Sequence, residues 1–334
     1  MTNAENREIY FSFFMFTVDL QPNDREYTKV IVRHIRALLD LGYVGFDLPI
    51  APANTVDHQS EVESYKGLKK ALDDAGLKDV KFTTNVGATK VFDPSSMDAA
   101  QRQAGLSYLK SRVDITKALG GEIMAGPIIL PYGVYPITDD NQPIWSDALQ
   151  QWLIPRYQNA LPIIEELGEY AASQGVRLAI EPVDHWETPS PNMVADVMRF
   201  LNGVKSKQVG VCIDSAHVVL GSDGPSAFVR DVRLASKTDR LNYVHISAPD
   251  RGAVRDSWIP WKPFLKPILE DYDGPFLIEV FNAIPAFLNS LHLTRRKFWI
   301  PAEDAPVDGW PDAYAVAKDA IKVLRREIAE AGGA

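Results

Sequence analysis

Along this chain, short runs of apolar, β-branched and aromatic residues alternate with longer stretches in which apolar residues recur every three or four positions. The first pattern is that of buried strands, the second that of amphipathic helices. Strands are predicted at residues 9–16, 44–50, 80–86, 122–129, 177–183, 209–214, 241–246 and 275–280. After the first strand, Ile31, Ile35, Leu38 and Leu39 share one helix face before Gly42 ends it. Further helices are predicted at 61–74, 97–119, 154–173, 226–236, 261–271 and 312–331. Another opens at Ser190-Pro191, with the proline in its first turn, and ends near Gly203. Eight strand–helix units imply parallel strands joined by crossover helices and closed into a single (β/α)8 barrel. The 334 residues fit one domain, 1–334, because such barrels take about 250 residues plus insertions. Two loops are longer than a plain barrel needs, 130–146 after strand four and 281–310 after strand eight, and both are rich in proline and aromatics. Both fall on the face where strands end, so they are candidates for a lid or a partner surface.

Composition adds mainly exclusions. With 46% hydrophobic and 24% charged residues, the chain is that of an ordinary globular protein with a large core. A formal net charge of -9 disfavours a nucleic-acid partner. The single Cys212, set in Val-Gly-Val-Cys-Ile-Asp, has no disulfide partner and reads as a small buried hydrophobe. The start of the chain has no basic stretch followed by an apolar run, and no long uninterrupted apolar segment occurs. The expectation is a cytoplasmic protein with no membrane contact.

The chemistry gathers at strand ends. Ile180-Glu181-Pro182, Ile213-Asp214-Ser215, Val244-His245-Ile246 and Ile278-Glu279-Val280 each end an apolar strand with a side chain able to bind metal. They come from strands five to eight in succession, so in a closed barrel they converge at one rim. A divalent cation would resolve the repulsion among three carboxylates. Three oxygens and one nitrogen suit Mn²⁺, or else Mg²⁺ or Co²⁺, and leave positions open for substrate oxygens.

These residues, with Glu187 six positions after Glu181, the run Asp214-Ser215-Ala216-His217, and Arg251 six positions after His245, resemble the ketose 3-epimerases of the xylose isomerase-like TIM barrel superfamily. The resemblance covers essentially the whole barrel. It implies that Glu181, Asp214, His245 and Glu279 bind the metal, that Glu181 and Glu279 also form the acid/base pair, and that Glu187, His217 and Arg251 grip a sugar. It further implies that the metal polarises the sugar carbonyl while a carboxylate removes the proton on the adjacent carbon.

The chain departs from simple epimerases in its longer loops and in His185 of Glu-Pro-Val-Asp-His-Trp-Glu, where those enzymes usually carry arginine. A neutral imidazole there would be a natural base near pH 7. On these points the chain looks similar to the catalytic subunits of bacterial C-glycoside deglycosidases. That resemblance implies carbon–carbon cleavage of 3-oxo-glucosyl aryl C-glycosides, with Glu181, Glu279 and His185 catalytic, an oligomeric enzyme and a small β-rich partner subunit. The alternative is a ketose 3-epimerase or isomerase, and a non-catalytic sugar- or metal-binding module is a third reading against which the intact acid/base pair argues. Abasic-site nucleases of the same superfamily need several zinc ions and many histidines, and six histidines with this charge fit them poorly. Among the other candidates, His34 is placed on a helix, His58 after strand two and His292 in the last long loop. Arg251 can equally pair with Asp250 or Asp256. The run Tyr10 to Phe16 reads as core with one or two rings facing substrate, and Trp145, Trp258, Trp261 and Trp299 as packing or as an aryl platform.

Overall fold

The computed structural model describes residues 7–52, 56–138, 140, 142, 144, 146–221, 223–255, 257–281 and 298–332. Its sheet is a closed barrel in which each strand pairs with the next and the eighth returns to the first. The strands are β1 (Ile9–Ser12), β2 (Gly45–Pro49), β3 (Lys81–Asn85), β4 (Ile123–Gly126), β5 (Arg177–Ile180), β6 (Val209–Asp214), β7 (Leu241–Ser247) and β8 (Phe276–Glu279). Around them lie α1 (Arg25–Leu39), α2 (His58–Asp74), α3 (Ala99–Ala118), α4 (Ser146–Gln174), α5 (Val194–Leu201), α6 (Ser215–Leu220), α7 (Pro225–Lys237), α8 (Trp261–Asp271) and α9 (Ala313–Gly332). Asp24, Asp57 and Asp98 cap α1, α2 and α3 by accepting from first-turn backbone N–H groups.

Two packing surfaces follow from the strand period of two. Val209, Val211 and Ile213 of β6, with Phe276 and Ile278 of β8, point outward into the main core beneath the helices. Cys212, Tyr243, Leu277, Ala179, Ala125, Ile123 and Tyr10 point inward and form a small separate cluster inside the barrel. The inward row continues upward through Asp214, His245 and Glu279, which are at most 1% exposed.

Four expectations are corrected in detail. The first strand stops at Ser12, whose hydroxyl accepts from the Phe14 N–H and starts a 3-10 turn over Phe13–Met15. The aromatic run therefore divides: Phe13 packs into the core and Phe14 turns toward the barrel mouth. Ser190-Pro191 does not open a helix. The Pro191 carbonyl accepts from Val183 N–H, the Asn192 amide donates to Val183 and Thr188, and α5 begins three residues after Pro191. α4 begins at Ser146, eight residues earlier than predicted, and carries Pro155 and Pro162 inside it. A short helix, α6, which the sequence pattern does not predict, follows β6 directly, because Asp214 accepts from Ala216 and His217 N–H and caps it. Of the loop after β8, residues 282–297, including His292, lie outside the described residues, as does Trp145. Its described end brings Phe298 and Ile300 into the core and pairs Trp299 with Asp312.

Gly126 closes β4 with φ 128°, and a Cβ there would lie 2.2 Å from the Val86 carbonyl oxygen. Its own carbonyl accepts from Glu181 N–H at 3.1 Å. Gly126→Ala is expected to lose about 2–4 kcal/mol of stability, from an unfavourable φ and a backbone clash together. Denaturant unfolding of the two proteins measures it.

Candidate active site

At the C-terminal ends of β5 to β8, Glu181, Asp214, His245 and Glu279 each offer a ligand atom, and these atoms all lie within 4.8 Å of one another. His245 Nδ1 lies 3.1 Å from Glu181 Oε1 and 3.4 Å from Glu279 Oε1. The pairing of Asp214 with His245 across β6–β7, and of Ser247 with Glu279 across β7–β8, sets their heights on the rim. Asp214 is held hardest: it accepts from Ala216 and His217 N–H and from the Ser247 hydroxyl at 2.7 Å, and Arg251 stands 3.5 Å away.

The proton affinities within this group diverge. Burial raises the Glu279 carboxyl to about 8, with Glu181 and Asp214 adding to the effect and His245 opposing it. For Glu181 burial is outweighed by His245 and His217, and its pKa is lowered. Asp214 is lowered as well, burial being overcome by His217 and Arg251. Two fully buried atoms of the group, Glu279 Oε1 and His245 Nε2, make no hydrogen bond. Buried polar groups without partners are rare. Clustered carboxylate and imidazole donors with an unpaired carboxylate oxygen fit a hard or borderline divalent cation.

Above this group a cavity of about 410 Å³ opens, with Glu181, Glu279, Glu187 and Arg251 at its base and Phe14 and Phe281 on its wall. Phe281 stacks on Phe14 at 5.2 Å and lies under the Arg251 guanidinium at 4.3 Å. Arg251 adopts φ 59°, an uncommon conformation for a non-glycine residue. Its guanidinium donates to Ser247, stands 3.3 Å from His217 Nε2 and reaches Glu187 at 4.0 Å. Glu187 accepts from the Tyr132 hydroxyl at 2.8 Å. Burial works against a charged His217, but Asp214, the nearby Asp184 and Glu187 outweigh it and Arg251, and the pKa is pushed up to about 9.

The structure brings together Glu181, Asp214, His245, Glu279, Glu187, His217 and Arg251, and leaves His185 apart. The His185 ring is exposed, stands edge-on to Trp186 at 4.8 Å and is absent from the cavity wall. The reason is a tight turn in which Glu187 and Thr188 N–H donate back to the Asp184 carbonyl. Asp184 and Glu187 face inward and the two residues between them face out. Asp184, 3% exposed, thus lies against His217 and Glu187, a placement that sequence reasoning missed. Its spacing of three from Glu187 was the available signal. Asp47 in the middle of β2 was also missed. It is fully buried inside the barrel, accepts from Thr83 at 2.6 Å, and burial raises it to about 6.

The remaining candidates fall outside the cavity wall. His34 is buried between Tyr314 and Glu303 and stacks on Phe16 at 4.0 Å, while His58 packs near Phe92 and Tyr108. Trp258 is 91% exposed, Trp261 packs on the main core, and no tryptophan among the described residues lines the cavity. Cys212 belongs to the inner cluster beneath His245, and burial pushes its thiol well up.

Residues 35–320 match the model of the xylose isomerase-like TIM barrel family, and the chain belongs to that family. Within it, a sequence relative is the L-ribulose 3-epimerase of Methylomonas sp. (strain DH-1), 25% identical over 223 residues, 66% of this chain and 72% of that one. A crystal structure from Anabaena variabilis ATCC 29413, provisionally described as a sugar phosphate isomerase/epimerase, is 56% identical, with a TM-score of 0.94 over 98% of this chain and 100% of that one. The D-allulose 3-epimerase of Methylomonas sp. in complex with D-allulose shares the fold, with a TM-score of 0.73 and 21% identity over 96% of this chain and 97% of that one. No helix among the described residues is long and apolar enough to cross a membrane.

The raised Glu279 makes stability of the metal-free protein depend on pH. Folding favours the protonated carboxyl, so this contribution is complete below the ordinary value of 4.5 and is lost as pH rises toward about 8. Glu279→Gln, which mimics the protonated form, should therefore raise the Tm of the metal-free protein more at pH 8 than at pH 5. Added Mn²⁺ should raise the Tm of the wild type more than that of the variant, because a ligand is missing. Thermal unfolding with EDTA or Mn²⁺ at both pH values reads both effects.

Proposed function

We propose that the chain is a divalent-metal-dependent sugar epimerase of the ketose 3-epimerase kind. The observation that carries this reading is the placement of Glu181 and Glu279 at one cavity base, on strands three steps apart around the rim, both within reach of His245. Two-base epimerisation needs an acid/base group on each face of the reacting carbon, a role two carboxylates can fill. One carboxylate takes the proton as the C–H bond breaks and its electron pair moves toward the carbonyl oxygen. The other returns a proton to the opposite face, and the configuration inverts. Glu181, Asp214, His245 and Glu279 would hold the cation, whose charge supplies stabilisation for negative charge developing on the substrate oxygen. Mn²⁺ is the metal to test first, with Mg²⁺ and Co²⁺ beside it. Glu187 and Arg251 on the cavity wall, with His217 behind them beside Glu181, would hold sugar hydroxyls over the carboxylates, and Phe14 and Phe281 exclude water from one side of the cavity. The ketose 3-epimerase relatives support this reading.

Cleavage of 3-oxo-glucosyl aryl C-glycosides would begin with the same proton removal. The apolar wall of the cavity keeps it as a second reading, but its proposed base, His185, lies on the exposed side of its turn. The deciding experiment offers fructose, tagatose, allulose, ribulose and a 3-oxo aryl C-glucoside to the protein with Mn²⁺ or EDTA, in D₂O. Interconversion of a ketose pair with deuterium entering at carbon 3, abolished by EDTA, is expected. Glu181→Gln and Glu279→Gln should each lower kcat by about 10²–10⁴-fold. Release of aglycone without ketose exchange would replace the epimerase by the lyase.

A further inference from the structure

We propose that Asp184 is a positioning residue that fixes the orientation and tautomer of His217, so that Nε2 is the nitrogen presented to substrate. The proposal rests on the reading of the cavity base as a sugar site. The side chains of Asp184 and His217 are 2% and 1% exposed, and Asp184 Oδ2 lies 3.2 Å from His217 Nδ1. The contact lacks the angle of a full hydrogen bond, His217 Nδ1 makes none elsewhere, and the other carboxylate oxygen, Asp184 Oδ1, is also buried without a partner. A buried carboxylate thus faces a buried ring nitrogen that nothing else satisfies. Catalytic hydrogen bonds are often long or misaligned before substrate arrives and tighten on binding.

The other side of the ring makes the assignment specific. Arg251 carries only donors, and its Nη2 lies 3.3 Å from His217 Nε2. When the ring is neutral, Nε2 is the acceptor in that contact, so the one ring proton belongs on Nδ1, facing Asp184. Nε2 also lies 3.7 Å from Oε1 of Glu181, a carboxylate that lines the cavity. Glu187 reinforces the arrangement: its Oε2 accepts from the Asp184 N–H at 3.2 Å and stands 3.8 Å from His217 Nδ1. The turn that carries Asp184 and Glu187 therefore grips one ring from one side. The same three residues offer ligand atoms close enough for a cation. The Arg251 guanidinium against His217 argues against one, since it already supplies positive charge at that point.

The test uses Asp184→Ala and Asp184→Asn in the full chain. An amide oxygen can still accept from Nδ1–H, so the asparagine variant is the conservative one. Nitrogen-15 NMR of the histidine rings, recorded above pH 9 so that the raised His217 is neutral and with His217 identified by its loss in His217→Gln, reads the tautomer in the metal-free and Mg²⁺-loaded protein. The Nδ1–H form is expected in the wild type and in Asp184→Asn, and a mixture of tautomers in Asp184→Ala. For a ketose that the enzyme turns over, kcat/KM should fall about 10–100-fold in Asp184→Ala, by the scale of lost orienting partners, and recover largely in Asp184→Asn. Metal analysis should find one equivalent of divalent cation in all three. Unchanged ring signals in Asp184→Ala would overturn the proposal, as would a second equivalent of metal lost with Asp184. If the wild type turns over no ketose, the reading of the reaction fails, while the ring signals still decide the role of Asp184.

Discussion

Three carboxylates buried within a few ångströms of one another are the constraint around which this barrel is organised. Glu181, Asp214 and Glu279 are each 4% exposed or less, and charge held so far from water is costly unless it is compensated. The compensation comes from every direction the fold offers. His245 stands between Glu181 and Glu279, and the first turn of α6 and the Ser247 hydroxyl satisfy Asp214. Arg251 approaches from the loop after β7. What remains without a hydrogen bond is local: one oxygen of Glu279 and Nε2 of His245. A site so nearly balanced, with a carboxylate oxygen left over, suits a cation of fixed charge better than a stray proton.

The alternation of inward and outward residues explains why so much of this site can be read from the chain. In β6 the outward Val211 and Ile213 pack under helices, so Cys212 and Asp214 must point in, and the same logic places His245 and Glu279. Strand ends are thus legible because a period of two admits only one inward register. Irregular segments carry no such rule. His185 and Asp184 are neighbours in sequence and opposites in space, because a backbone turn at Asp184 decides which of them is buried and which is exposed. Ser190-Pro191 has the composition of a helix start, yet the Pro191 carbonyl is already engaged by Val183. The end of β1 is set by the Ser12 hydroxyl, a contact of one side chain with one N–H that overrides an otherwise strand-like aromatic run. In each case a local hydrogen bond defeats a pattern that is correct on average.

The two halves of the site are not independent. His217 sits against Asp184 and Glu187, but its backbone N–H donates to Asp214, a member of the metal-competent group. Arg251 likewise touches both, meeting Asp214 and Ser247 on one side and Glu187 and His217 on the other, while its ring contact with Phe281 ties it to the apolar wall. It does so from a backbone conformation that side chains seldom adopt, which persists only where the surroundings enforce it. Arg251 therefore joins the charge of the metal-competent rim to the groups that line the cavity, and its strained backbone holds the guanidinium where it meets both.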